Sequence, residues 1–360
     1  MNLEQKIFIT DCEGPISKND NAFELSKHYI PSGDKFFALL SKYDDVLADI
    51  VKKPGYKPGD TLKLILPFLK ANGVSDEKIK DYSSNHIFLV PGARETLQFV
   101  KSIMPPFMVS TSYEQYINSL CDLIGFPKEN VYCTRVSLNK YEIDNKEKIE
   151  LRKLGKEISS MPMIEIPKNA TSVKDFSQRD QETLKRLDGI FWKEIPGMES
   201  GKILEEINPV GGYEKAEAVK DIVKKLKNDL SNVIYFGDSI TDAAPFQLVR
   251  NNGGLTVSFN GNRYAIKEAD IAVLSSNTTV TSILADVFNR KGKEYVIDLI
   301  EDWPKHVMDN VSPNLRYLLK IYPLKLHRIG IITDENGERL TIESNAFRKA
   351  VRGEAIGKLG

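Results

Sequence analysis

Four short groups of residues in this sequence carry the types and spacing that chemistry requires. They are Asp11 and Glu13 in Ile7-Phe8-Ile9-Thr10-Asp11-Cys12-Glu13-Gly14, the hydroxyl run Ser110-Thr111-Ser112, Lys215, and Asp238 with Asp242 in Gly237-Asp238-Ser239-Ile240-Thr241-Asp242. Three carboxylates brought together (Asp11, Asp238, Asp242) would repel one another unless a cation lay between them. Oxygen donors without histidine or cysteine suit a hard ion, and Mg2+ fits a site that also binds phosphate. The expected metal ligands are therefore Asp11, Glu13, Asp238 and Asp242. A carboxylate beside that ion can attack phosphorus to give an aspartyl-phosphate, which makes Asp11 the expected nucleophile. Lys215, Ser110 and the Thr111 N–H would hold the phosphoryl oxygens. Glu13, two residues on along an extended chain and so on the same side, could protonate the leaving oxygen and then activate water.

Each group follows an apolar run or opens a helix. Lys6–Thr10, Phe107–Val109, Val233–Phe236, Leu255–Phe259 and Ile271–Leu274 read as strands buried on both faces of a parallel sheet. Helical periodicity follows at Tyr113–Ile124 and Ala216–Leu230. This alternation predicts a doubly wound, Rossmann-like α/β core, whose ligand crevice lies at the carboxyl ends of the strands. The core is read as residues 1–16 with 91–139 and 209–280. Two stretches interrupt it. Residues 17–90 carry four helical patterns (Asn21–Tyr29, Asp34–Lys52, Asp60–Asn72, Ser75–Ser84), and residues 140–208 form a charge-rich, mostly helical insertion around Lys146–Ile158 and Val173–Phe191. Residues 281–360 are read as a helical extension, with a hairpin at Ile329–Thr333, Asp334-Glu335-Asn336-Gly337 and Arg339–Ile342.

Composition excludes several classes. The 360 residues are 41% hydrophobic and 28% charged, ordinary globular usage, and 50 Lys+Arg offset 50 Asp+Glu. A formal charge of zero leaves no global field to recruit nucleic acid. Cys12, Cys121 and Cys133 have no CxxC spacing, which argues for a reducing cytoplasm and against a disulfide framework. The polar start lacks a signal-peptide core, and no run of about 18 apolar residues predicts a membrane span. Cys12 is read as buried and inert, and His28, His86, His306 and His327 as structural. Asp242 could also cap the helix that follows it. Glu24 could reach an amine on a substrate.

The four groups resemble the haloacid-dehalogenase (HAD) superfamily at all four of its motifs. Asp11-Cys12-Glu13-Gly14 stands where that superfamily has Asp-x-Asp-Gly, with Glu in place of the second Asp, as in enolase-phosphatase-like members. Phe107-Met108-Val109-Ser110, Lys215 after Gly211-Gly212-Tyr213-Glu214, and Gly237-Asp238-Ser239-Ile240-Thr241-Asp242 match the other three. Phe259-Asn260-Gly261-Asn262 and Glu268-Ala269-Asp270-Ile271-Ala272 are similar to the phosphoserine-phosphatase-like branch. The resemblance implies a HAD-type fold with a helical cap, and a Mg2+-dependent phosphatase acting on a small phosphorylated metabolite.

Thr111-Ser112-Tyr113-Glu114-Gln115-Tyr116 and Tyr43-Asp44-Asp45…Gly55-Tyr56…Thr61-Leu62-Lys63-Leu64 further resemble a little-characterised archaeal HAD family, some of whose methanogen members are called energy-converting hydrogenase subunits. That narrower likeness implies a rival role, an accessory subunit with weak or no catalysis. The extension beyond residue 280 would then be a homodimer contact or the face of a hydrogenase-type complex.

Overall fold

The computed structural model describes residues 5–303, 305, 307–322 and 328–359; His306 and His327 lie outside them. Seven strands form one sheet: β1 (Ile7–Thr10), β2 (Pro106–Tyr113), β3 (Val131–Thr134), β4 (Val233–Gly237), β5 (Leu255–Phe259), β6 (Ile271–Leu274) and β7 (Arg328–Ile331). Their order is β3-β2-β1-β4-β5-β6-β7. All neighbouring pairs are parallel except β6 and β7, which are antiparallel. The fold is thus the expected α/β class, with helices over a mostly parallel sheet.

Alternation along each strand explains why the sheet needs cover on both faces. Phe8, Met108, Ile234 and Phe236 join one apolar cluster, whereas Ile7, Ile9, Phe107, Val109, Val233 and Tyr235 join another on the opposite face. The helix Gly212–Lys225 covers the second face through Ala218, Val219 and Ile222. The first is covered by Ala93–Ile103, Glu114–Ile124 and Thr279–Lys291.

Register fixes the site. Thr10 lies level with Met108 of β2 and Phe236 of β4. Asp11 is therefore one residue past that level, and Ser110 and Asp238 are two. The chain leaves β1 toward β2 on one side and reaches β4 on the other, so these residues surround the crevice at the switch in strand order.

Two of the four helices of residues 21–85 begin at a side-chain cap. Asp20 accepts the Phe23 N–H at 2.9 Å at the head of Asn21–Tyr29, and Ser75 accepts that of Lys78 at 3.3 Å at the head of Asp76–Asn85. Gly33–Asp45 continues into a π-helical turn at Val46–Ile50, and Thr61–Ala71 follows. In residues 140–208 the principal helices are Asn145–Ser160 and Gln178–Gly189. Residues 17–90 and 140–208 share one hydrophobic cluster: Phe36, Leu40, Tyr43 and Phe68 pack with Leu151, Leu154, Leu187 and Phe191. A helix glycine, Gly155, admits the Phe68 ring, whose edge would lie 3.3 Å from an added Cβ.

The expected C-terminal hairpin does not form. Its first half is β7, which pairs with β6, and its second half opens the helix Gly337–Arg352. Asn336-Gly337, turn-like in sequence, serves as the helix start instead: the Asn336 side chain accepts the Thr333 N–H at 2.9 Å and donates to the Ile331 carbonyl at 2.8 Å. Leu340 packs on Ile266, Ala272 and Leu274, with Phe347 two turns further along the same face.

Candidate active site

Asp11, Glu13, Ser110, Thr111 and Asp238 line one cavity of about 120 Å³ at the carboxyl ends of β1, β2 and β4. Its opposite wall comes from the first insertion, including Ala22, Phe37, Asp44 and Gly59. Lys215 and Asp242 lie directly beneath. The fully buried Lys215 ammonium is 2.6 Å from Asp11 Oδ2 and 2.8 Å from Asp242 Oδ1. The sequence-expected residues therefore converge on one place.

The two terminal acids of the fourth motif are held differently. Asp242 is saturated: its Oδ1 also accepts the Tyr235 hydroxyl at 2.9 Å, and its Oδ2 accepts the N–H groups of Asp238 at 2.9 Å and Ser239 at 3.1 Å. It therefore closes the turn Ile240–Asp242 in a capping box with Ser239 and holds Lys215, and its side chain does not cap the helix Ala243–Asn251 as expected. Asp238 instead faces the cavity. Two glycines permit this crowding. Gly237 leaves no room for a Cβ, which would sit 2.4 Å from Asp242 Cγ; Gly14, at φ +101°, would place one 2.1 Å from Asp238 Oδ2.

Asp11, Asp238 and Asp242 each bring a carboxylate oxygen within 4.8 Å of the others, a buried acidic cluster. Glu13, expected among the metal ligands, is not in this group. Its carboxylate accepts the Asn21 N–H at 2.8 Å, at the start of the first insertion helix, so its orientation is set by that helix.

Charge and burial set the protonation states. Burial, opposed by Lys215 and reinforced by Asp242 and Asp238, pushes the Asp11 carboxyl up to about 7. Burial beside Asp20 raises the Glu13 carboxyl well above the ordinary carboxylate range, although Arg352 and the Asn21 N–H pull it down. Burial works against the Lys215 charge, but Asp11 and Asp242 outweigh it and hold the ammonium above its ordinary value. Cys12 is buried and its thiol is pushed well up by burial and by Glu13 and Asp11, which suits an inert side chain.

Sequence reasoning missed two residues here. Arg348 and Arg352, one turn apart on Gly337–Arg352, both reach Asp238. Their i, i+4 spacing, in line with Leu340 and Ser344, was a readable sign of a buried helix face. Glu24, expected to face a substrate amine, is not on the cavity wall. It binds the Asn19 side-chain amide at 2.9 and 2.8 Å, and burial raises its carboxyl to about 7.

The profile of the haloacid dehalogenase-like hydrolases matches residues 67–286, and the chain belongs to that family. A solved gene product of Archaeoglobus fulgidus superposes with a TM-score of 0.78 at 27% identity, covering 99% of each chain. Apo phosphoserine phosphatase gives a TM-score of 0.40 at 13% identity over 76% of this chain and 96% of that one. The substrate-bound phosphoserine phosphatase complex gives 0.45 at 13% over 79% and 98%. No match was found among curated proteins. Among the described residues no helix is long and apolar enough to cross a membrane.

Proposed function

We propose that this hydrolase is a Mg2+-dependent phosphatase of a small phosphorylated metabolite, working through an aspartyl-phosphate on Asp11. The observation that carries the reading is the buried Lys215 bridging Asp11 and Asp242 beneath a cavity lined by hydroxyls. A lysine held this way neutralises the nucleophile's surroundings and fixes its second oxygen, leaving the carboxylate aimed into the cavity.

The donor set fits a divalent cation. Asp11, Asp238 and Asp242 bring carboxylate oxygens within 4.8 Å of one another, close enough to share one ion. Asp11 and Asp238 would hold the ion, with Asp242 behind them. Bound there, it would draw charge from the phosphoryl oxygens.

Asp11 attacks phosphorus and the bond to the leaving oxygen breaks. Glu13, whose carboxyl burial raises above the ordinary carboxylate range, gives that oxygen its proton. The resulting carboxylate then takes a proton from water as the water attacks the aspartyl-phosphate, releasing phosphate and restoring Asp11. Ser110, Thr111 and Ser112 orient the phosphoryl oxygens, and the two insertions act as a cap that excludes bulk water. A cavity of about 120 Å³ is far below the roughly 300–1,000 Å³ of drug-sized pockets, which favours a small substrate.

A second reading is a binding subunit without turnover, in a homodimer or a hydrogenase-type complex. The guanidinium pair on Asp238 favours it, because both groups occupy an oxygen that a cation would use. One assay separates the two: hydrolysis of para-nitrophenyl phosphate with and without Mg2+, in wild type and Asp11→Asn. Metal-dependent turnover that falls at least about 1,000-fold in the variant is expected, equivalent to roughly 4 kcal/mol of barrier. Turnover that ignores either the metal or the substitution would sink the phosphatase reading.

A further inference from the structure

We infer that Arg348 is a ligand of the substrate's phosphoryl group, supplied to the site by the C-terminal helix, and that Arg352 beside it is a positioning residue for Asp238. The inference rests on the phosphatase reading of Asp11 and deepens it.

The two arginines differ in what their donors do. Arg352 spends all three nitrogens on the protein: Nε donates to the Lys18 carbonyl at 3.1 Å, Nη1 to Asp238 Oδ2 at 3.1 Å, and Nη2 to the Asn19 carbonyl. It ties the loop after β1 to the loop after β4. Arg348, only 4% exposed, uses Nη1 alone, on the Asp238 carbonyl at 3.2 Å and on its carboxylate. Its Nε–H is buried with no hydrogen-bond partner. Nε belongs to the side edge of the guanidinium, whose paired donors match two oxygens of a phosphate.

One more group on the same cavity is in the same condition. Thr111 Oγ1 is buried without a partner, and Arg348 and Thr111 both line the space above Asp11. Buried polar groups in folded proteins are nearly always paired, so unpaired donors from two separate elements converging on one cavity mark the seat of a ligand rich in acceptors. A tetrahedral oxyanion has acceptors in every direction. Nor does the helix need Arg348 to stay in place, since Leu340 packs on the sheet and Ser344 donates to the Gly261 carbonyl at 2.7 Å.

The test titrates the full-length protein with inorganic phosphate in the presence of Mg2+, by calorimetry, with thermal melting as the check on folding. Arg348→Gln is expected to weaken phosphate binding at least tenfold. Arg348→Lys, a point charge without the paired donors, should weaken it several-fold, and Ile342→Ala, at an exposed position of the same helix, should stay within twofold. If both Arg348 variants melt like wild type and bind phosphate within twofold of it, the inference is overturned and the role of Asp11 is untouched. If Arg348→Gln does not fold, Arg348→Lys decides by the same criterion. Wild type that takes up no phosphate would overturn both the inference and the reading beneath it.

Discussion

Asp11, Ser110 and Asp238 stand at the ends of β1, β2 and β4, strands with almost every residue buried, whereas Arg348 and Arg352 ride on a helix with few apolar anchors, Leu340 and Phe347 in a small cluster and Val351 at the edge of a larger one. Both regions place charge in the same crevice, the helix by binding Asp238. The strand ends do so with backbone positions fixed by ladder hydrogen bonds on both sides. The helix does so late in the chain, through side chains whose placement depends on Leu340, Ser344 and the β6 surface. Strand-end positions are rigid because many interactions over-determine them; the tail's are conditional.

The largest expected effect probes the rigid half. Lys215→Met should lower stability by about 3–5 kcal/mol, because Asp11 and Asp242 would be left buried without their cation. Denaturant unfolding at pH 8, above the value of about 7 to which the Asp11 carboxyl is raised, measures it. A loss under 1 kcal/mol would show that the pair relaxes freely and that the strand ends are less rigid than described.

Next in size is a cut at the conditional half. Leu340→Ala should remove about 2–4 kcal/mol locally. Amides of Gly337–Arg352 should then exchange faster in hydrogen-exchange experiments while those of β1 and β4 do not change. Equal acceleration in both would erase the distinction, making the tail part of the core's cooperative unit.

The smallest effect concerns Asp44 in the first insertion, whose carboxylate accepts from the Tyr56 hydroxyl at 2.6 Å, the Gly59 N–H at 3.1 Å and the Thr61 N–H at 3.2 Å. Burial raises this carboxyl from 3.8 to about 7, against the pull of those donors. The folded state therefore binds more protons than the unfolded chain between those values, so Asp44's contribution to stability declines as pH rises from about 4 to 7 and is flat above. The upper bound is about 4 kcal/mol, and less is expected once other groups relax. Comparing wild type with Asp44→Asn across that range should show a shallower decline in the variant. Parallel curves would mean the carboxyl is already ionised near pH 4.

What was legible in the sequence follows the same division. β1, β4, β5 and β6 were readable because strands buried on both faces are continuously apolar, and Asp11, Ser110 and Asp238 were readable because they end such runs. Val131–Thr134 was missed. It is a four-residue edge strand, half-buried along most of its length, and carries little pattern. The tail was misread because Asp334-Glu335-Asn336-Gly337 has hairpin chemistry, while the deciding evidence, the i, i+4 file of Leu340, Ser344 and Arg348, lies further on. The common cluster of the two insertions could not be read at all, since nothing local pairs Phe68 with Phe191.

That common cluster has a consequence for anyone recombining this scaffold. Residues 17–90 and 140–208 each leave an apolar face bare without the other, so a chimera that exchanges one of them alone would expose the Phe36–Phe68–Phe191 surface to water. The two segments, separated in the chain by two strands of the sheet, would have to be exchanged as a matched pair to keep that surface covered.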